Sequence, residues 1–219
     1  MENQIKHISH KLIDSLSDGV YSIALTLLGL DVVALVSEVS HSKEINAALL
    51  EHWPTFFSYI FGFLVLFSMW YSYHALSQYV DGTNAWIVWN HGIGMLWIAL
   101  MPFGVALLGE TLNTPNSKWG VFYFGICLFG TQFSWLIQWA VSGFKVPVKF
   151  HDDLPIDPET LKRMMPVFFS ITSFFGLALI LLSLINPWLA MAGYAAHIIT
   201  NATPVTSLSK FMTRLSKMV

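Results

Sequence analysis

Six apolar runs, each long enough to cross a bilayer, take up most of the 219 residues and leave little chain between them. A hydrocarbon core of ~30 Å asks for ~20 consecutive apolar residues per helix. Within that layer every backbone polar group must be satisfied inside its own segment, so an all-α arrangement is expected. The runs span Leu12 to Val36, Pro54 to Leu76, Ala85 to Leu108, Trp119 to Ser142, Met165 to Ile185 and Trp188 to Leu208. Composition agrees, since 55% of residues are hydrophobic and only 11% are charged. That balance excludes an ordinary soluble domain. The first run is long and acidic, unlike a cleaved leader. No linker or internal duplication divides the sequence, so residues 1–219 read as a single six-helix transmembrane domain.

Charge placement sets the expected topology. With both termini cytoplasmic, that side holds Lys6, Lys11, Lys145, Lys149, Lys162, Arg163, Lys210, Arg214 and Lys217, and the other side only Lys43 and Lys118. This is a strong positive-inside bias. The basic residues then serve topology and lipid headgroups, and no nucleic-acid motif accompanies them. The brief links between the second and third runs, and at Asn186-Pro187 between the fifth and sixth, predict antiparallel neighbours. Asp157, Pro158 and Glu159 fit a helix start, so the fifth helix is expected to extend back toward them as an amphipathic turn. The segment between Ser37 and Trp53 either prolongs the first helix or lies along the surface.

The first run carries Asp18 inside its apolar sequence, together with Gly19, Ser17, Ser22 and Thr26. A carboxylate at the centre of a membrane helix costs ~2.5–3.5 kcal/mol on insertion scales, so Asp18 needs a partner or a wet cavity. Helical spacing stacks Leu16, Val20, Ile23, Leu27, Leu30 and Ala34 into one stripe, and Gly19, Ser22, Thr26, Gly29 and Val33 into the adjacent one. Small and apolar stripes are what close helix packing in lipid requires. If several copies of this helix surround an axis, Ile23, Leu27 and Leu30 form aliphatic rings that stop ions by dewetting. Ser17, Asp18, Trp70, His74 and Asn90 read as a polar framework that fixes the first helix against the second and third. Asp31 sits where a carboxylate either concentrates cations or is simply solvated.

Enzymatic chemistry finds no support. His41, His52, His91, His151 and His197 form no His-Glu-x-x-His spacing, and neither a nucleophile elbow nor a phosphate-binding loop occurs. One cysteine, Cys127, excludes an intramolecular disulfide. Two rivals to an ion channel remain: a proton-coupled secondary transporter using Asp18 and His74, and a non-conducting membrane subunit. The paired discontinuous helices of many transporters are not evident.

Ser17-Asp18-Gly19-Val20-Tyr21-Ser22-Ile23-Ala24-Leu25-Thr26-Leu27-Leu28 resembles the first-helix signature of the transmembrane protein 175 family, prokaryotic relatives of the lysosomal potassium channel. Tyr59, Phe63, Trp70 and His74 resemble that family's spaced tryptophan and histidine. Asn90, followed by Pro102-Phe103 and Leu107-Leu108-Gly109-Glu110, resembles its third-helix ending. Leu12 and Leu16 stand where the family has a basic residue and a phenylalanine, with Lys11 one step away. The resemblance implies a six-helix subunit of a homotetrameric potassium channel in a prokaryotic plasma membrane, without the usual carbonyl filter loop. It further implies that the first helix lines the pathway and that Ile23 is its narrowest ring. Leu27 and Leu30 then complete a constriction that penalises sodium through dehydration, and Thr26, with Ser22, supplies hydroxyls to potassium near Ile23. Partners are potassium ions, lipids and other copies of the chain, and no cofactor is called for.

Overall fold

The computed structural model describes residues 10–77, 85–145 and 158–202, with backbone alone at 10–11, 76, 138–145, 158–166, 168–169 and 200–202. Its elements are α1 (His10–Leu27), α2 (Gly29–Ser40), α3 (Ile45–Glu51), α4 (Trp53–Ser77), α5 (Ala85–Thr111), α6 (Ser117–Lys145), α7 (Pro158–Ser183) and α8 (Pro187–Ala202). The described residues contain only helices and their connections. Four stretches among them, Leu12–Ser40, Trp53–Ala75, Ala85–Thr111 and Ser117–Ile137, are long and apolar enough to cross a membrane. This is the architecture of a multi-pass membrane protein.

The expected helix boundaries shift in informative ways. The first helix runs past Val36 to Ser40 and is interrupted at Leu28. There the backbone stays right-handed (φ −56°, ψ −31°) and the Leu28 N–H still reaches the Ala24 carbonyl at 3.2 Å. The interruption is therefore a local loosening before Gly29, the residue with most to lose on entering a helix. The segment between Ser37 and Trp53 prolongs the first helix as far as Ser40, and the short α3 follows. The fifth predicted helix starts at Pro158, seven positions ahead of Met165, because proline at a first helical position forfeits no hydrogen bond. Asp157 itself, like residues 203–208 of the sixth predicted helix, lies outside the described residues.

Short connections force antiparallel order. α7 closes with the Asn186 N–H on the Leu182 carbonyl at 2.8 Å, and Asn186 then caps α8 by accepting the Leu189 N–H at Oδ1, 3.0 Å away. The α5–α6 turn closes through Trp119 N–H to the Asn116 carbonyl at 2.8 Å. Helices α4, α6 and α8 therefore begin at one end of the bundle, and α5 and α7 at the other. Exposed Trp53, Trp119 and Trp188 mark the first end, and exposed Trp86 and Trp89 the second. Two tryptophan girdles of this kind sit at the two interfaces of a bilayer.

The core joins α1, α4, α5, α6 and α8. Tyr21, Ala24 and Leu28 pack with Val65, Leu66, Ile98, Met101, Leu108, Phe124, Leu128 and Tyr194, all nearly inaccessible. α5 approaches α6 closely at Gly104, where a Cβ would stand 3.2 Å from Cys127 Sγ and 3.4 Å from the Phe124 Cα. In lipid, where burial of apolar area gives little drive, such tight backbone contact carries the packing.

Candidate functional site

Helix α1 is two-faced, and its two faces do different things. One face, bearing Ile13, Ser17, Tyr21, Ala24 and Leu28, is buried against α4 and α5. The other leaves Ile23 61% exposed, Leu27 42% and Leu30 58%, with Leu16 and Ala34 also uncovered. Ser22, Thr26 and Asp31 are exposed beside them. The Thr26 hydroxyl donates to the Ile23 carbonyl at 2.8 Å, so its proton is spent and only oxygen lone pairs face outward. An uncovered face that mixes aliphatic side chains with hydroxyls and a carboxylate is poorly matched to hydrocarbon alone.

The buried face is tied down by polar groups at the α1 end nearer His10. Asp18 Oδ1 accepts the Trp70 indole N–H at 2.9 Å and lies 3.1 Å from His74 Nε2. His74 Nδ1 sits 3.2 Å from its own helix's Trp70 carbonyl, and the Trp70 and His74 rings are 4.6 Å apart. One turn earlier, Asp14 Oδ1 accepts the Tyr73 hydroxyl at 2.7 Å. Ser17 Oγ donates to the Ile13 carbonyl at 2.8 Å and is paired with His91 Nε2 at 2.6 Å. Ser17, Tyr73 and His91 are each buried, and the Tyr73 ring also meets His91 at 5.1 Å and Trp135 edge-on at 5.9 Å.

The structure thus brings Ser17, Asp18, Trp70 and His74 into one cluster at the junction of α1, α4 and α5. Asn90 Nδ2 donates to the Ser134 carbonyl at 2.7 Å and so links α5 to α6, whereas the α5 residue that reaches Ser17 is its neighbour His91. Asp14, Tyr73 and His91 are the members that sequence reasoning missed. A signal was present: Asp14, Ser17 and Asp18 fall on one helical face, and Tyr73 adjoins the anticipated His74. No group of three or more potential metal ligands occurs among the described residues.

Comparison with known proteins bears on this arrangement. The sequence model of the family "Endosomal/lysosomal potassium channel TMEM175" matches residues 12–102, which include α1 from Leu12 onward, α2 and the polar cluster. A potassium channel of Chamaesiphon minutus is 31% identical over 107 residues, covering 48% of this chain and 52% of that one. A potassium channel of Streptomyces collinus is 31% identical over 106 residues, 48% and 50% of the two chains. The endosomal/lysosomal proton channel TMEM175 of Gallus gallus is 27% identical over 118 residues, 51% of this chain and 23% of that one. The matched segment spans about half the length of the two bacterial relatives. The crystal structure of a lysosomal potassium-selective channel TMEM175 homolog from Chamaesiphon minutus superposes with a TM-score of 0.71 at 21% identity, covering 88% of this chain and 96% of that one. That likeness carries the helical fold.

Proposed function

We propose that this chain, whose residues 12–102 match the sequence model of the TMEM175 family, is a potassium-selective cation channel that works without any enzymatic step. The observation that carries this reading is the uncovered face of α1 and α2, where Ile23, Leu27 and Leu30 alternate with Ser22 and Thr26. In the proposed assembly six spans per subunit, with both termini cytoplasmic, form a homotetramer in a prokaryotic plasma membrane. Four copies of this face surround the axis. The aliphatic rings expel water from the closed pore and strip ions partly in the open one, which costs a small, tightly hydrated cation more. Potassium then passes near Ile23 and Thr26, where outward lone pairs partly replace lost water. Asp31, beyond the rings, adds a cation-attracting field.

The polar cluster flanks the buried face, with the Asp18 side chain half exposed, and has a positioning role. It fixes the rotation of α1, and a rotation of ~100° moves the next residue onto a given line. Asp18 therefore decides which side chains meet the axis without itself meeting an ion. Reconstitution of the purified protein in liposomes with opposed potassium and sodium gradients tests the reading. Single-channel steps with a reversal potential near that of potassium support it; flux that saturates at a low rate and follows a proton gradient assigns the protein to transport, and absence of flux assigns it to a structural role.

A further inference from the structure

A cavity of about 340 Å³ opens between α5, α6 and α7, walled by Trp97, Phe129, Gly130, Phe133, Phe174 and Leu177. The Trp97 indole lies flat against Gly130, where any Cβ would collide with its ring, and this contact makes the floor. The rim is formed by Phe133, Phe174 and Leu177, all exposed. Ser170 and Ser173 also line the space, and their short side chains leave open what a larger residue would fill.

Depth decides what faces the opening. Trp97 lies ~18 Å along α5 and Gly130 ~20 Å along α6 at 1.5 Å per residue, which is midway along both helices. The two tryptophan girdles lie at the helix ends, so the cavity sits between them at the hydrocarbon level. Water is a poor occupant there, because it needs two to four polar partners and the lining offers little beyond two hydroxyls. A neighbouring helix, ~10 Å across with its side chains, is too thick to enter a space of this size. A flexible chain one methylene wide is not. Left empty, the lining would forgo the dispersion contacts that a packed interior makes.

We propose that this cavity seats the hydrocarbon chain of a membrane lipid, entering sideways past Phe133 and Phe174. The inference rests on the protein lying in a bilayer and not on conduction, so failure of one leaves the other standing. Trp97 is the built-in reporter. The full-length protein and its Trp97→Phe variant are reconstituted in vesicles of phosphatidylcholine brominated at mid-chain, and the difference between their emissions gives the Trp97 share. Ser170→Leu and Ser173→Leu, each also paired with Trp97→Phe, fill the space from two positions, so one that fails to fold does not end the test. The expected result is strong quenching of the Trp97 share in the parent and its recovery when the cavity is filled. Absence of quenching in the parent overturns the proposal and assigns the space to a neighbouring subunit or to closure of α7. Quenching that persists unchanged in both filled variants also overturns it, since Trp97 then meets only lipid outside the cavity.

Discussion

The Tyr73 hydroxyl donates to the Asp14 carboxylate at 2.7 Å, one turn ahead of the Asp18 that takes Trp70 and His74. Two successive carboxylates of α1 are thus held by one stretch of α4. The tyrosine-carboxylate contact is a second tie at that end of the helix.

Tyr73→Phe keeps the ring and its contact with His91 but deletes the donor. A loss of about 1.5–3 kcal/mol is expected, the range of a hydrogen bond to a carboxylate. Denaturation in detergent measures it, and Asp14→Ala should cost little more in the Tyr73→Phe background. Fully additive losses would show that the two residues do not act on each other.

Asp18→Ala strips the acceptor from the Trp70 indole and should cost about 1–3 kcal/mol through the unpaired donor. Asp18→Asn retains an acceptor for Trp70 and should lose less. Subunit assembly, followed by size-exclusion chromatography, should fall in the same order. A stable, assembled Asp18→Asn protein that has lost conductance would move Asp18 from positioning to the ion path.

Ile23→Ala should widen the constriction and weaken the preference for potassium over sodium, read as a shift in the bi-ionic reversal potential. Ile23→Asn should act differently, because an amide ring holds water where an aliphatic ring expels it, raising current in the resting state. Unchanged current and reversal potential in both folded variants would place the constriction elsewhere.

Thr26→Val preserves shape and removes the lone pairs that the Ile23 bond leaves facing outward. If these hydroxyl oxygens partly replace potassium's water, relative sodium permeability should rise while conduction continues. An unshifted reversal potential would leave selectivity to Ile23, Leu27 and Leu30 alone.

Gly104→Val forces a branched side chain into the Cys127 and Phe124 contact between α5 and α6 and should cost about 1–3 kcal/mol through overpacking. Thermal unfolding in detergent reads this directly.

The helical class and the antiparallel order were legible because a bilayer leaves a chain few choices, and long apolar runs with short links state them directly. The aliphatic stripe of Ile23, Leu27 and Leu30 on α1 could also be read from helical spacing, whereas which stripe stays uncovered depends on the packing against α4 and α5. The partner of Ser17 could not be read. His91 follows Asn90, which resembles the family motif, and nothing local says which of two adjacent side chains turns toward α1 and which toward α6; the packing of α5 between them settles it. Asp14 was hidden for a related reason. A carboxylate so near the start of a span reads as solvated until Tyr73 is brought alongside by the α1–α4 crossing. The start of α7 at Pro158 was legible too, in the Asp157-Pro158-Glu159 pattern and not in hydropathy, because proline suits a first helical position.

Cys127 is the sole thiol in the sequence and lies buried under Gly104 in the α5–α6 seam. The wild-type protein is therefore close to a silent background for thiol labelling. Cysteines introduced one at a time along α1, from Gly19 to Val33, can be challenged with a charged methanethiosulfonate that does not dissolve in lipid. The periodicity of their reactivity would map the wetted side of the helix without first rebuilding the interior around a missing sulfur.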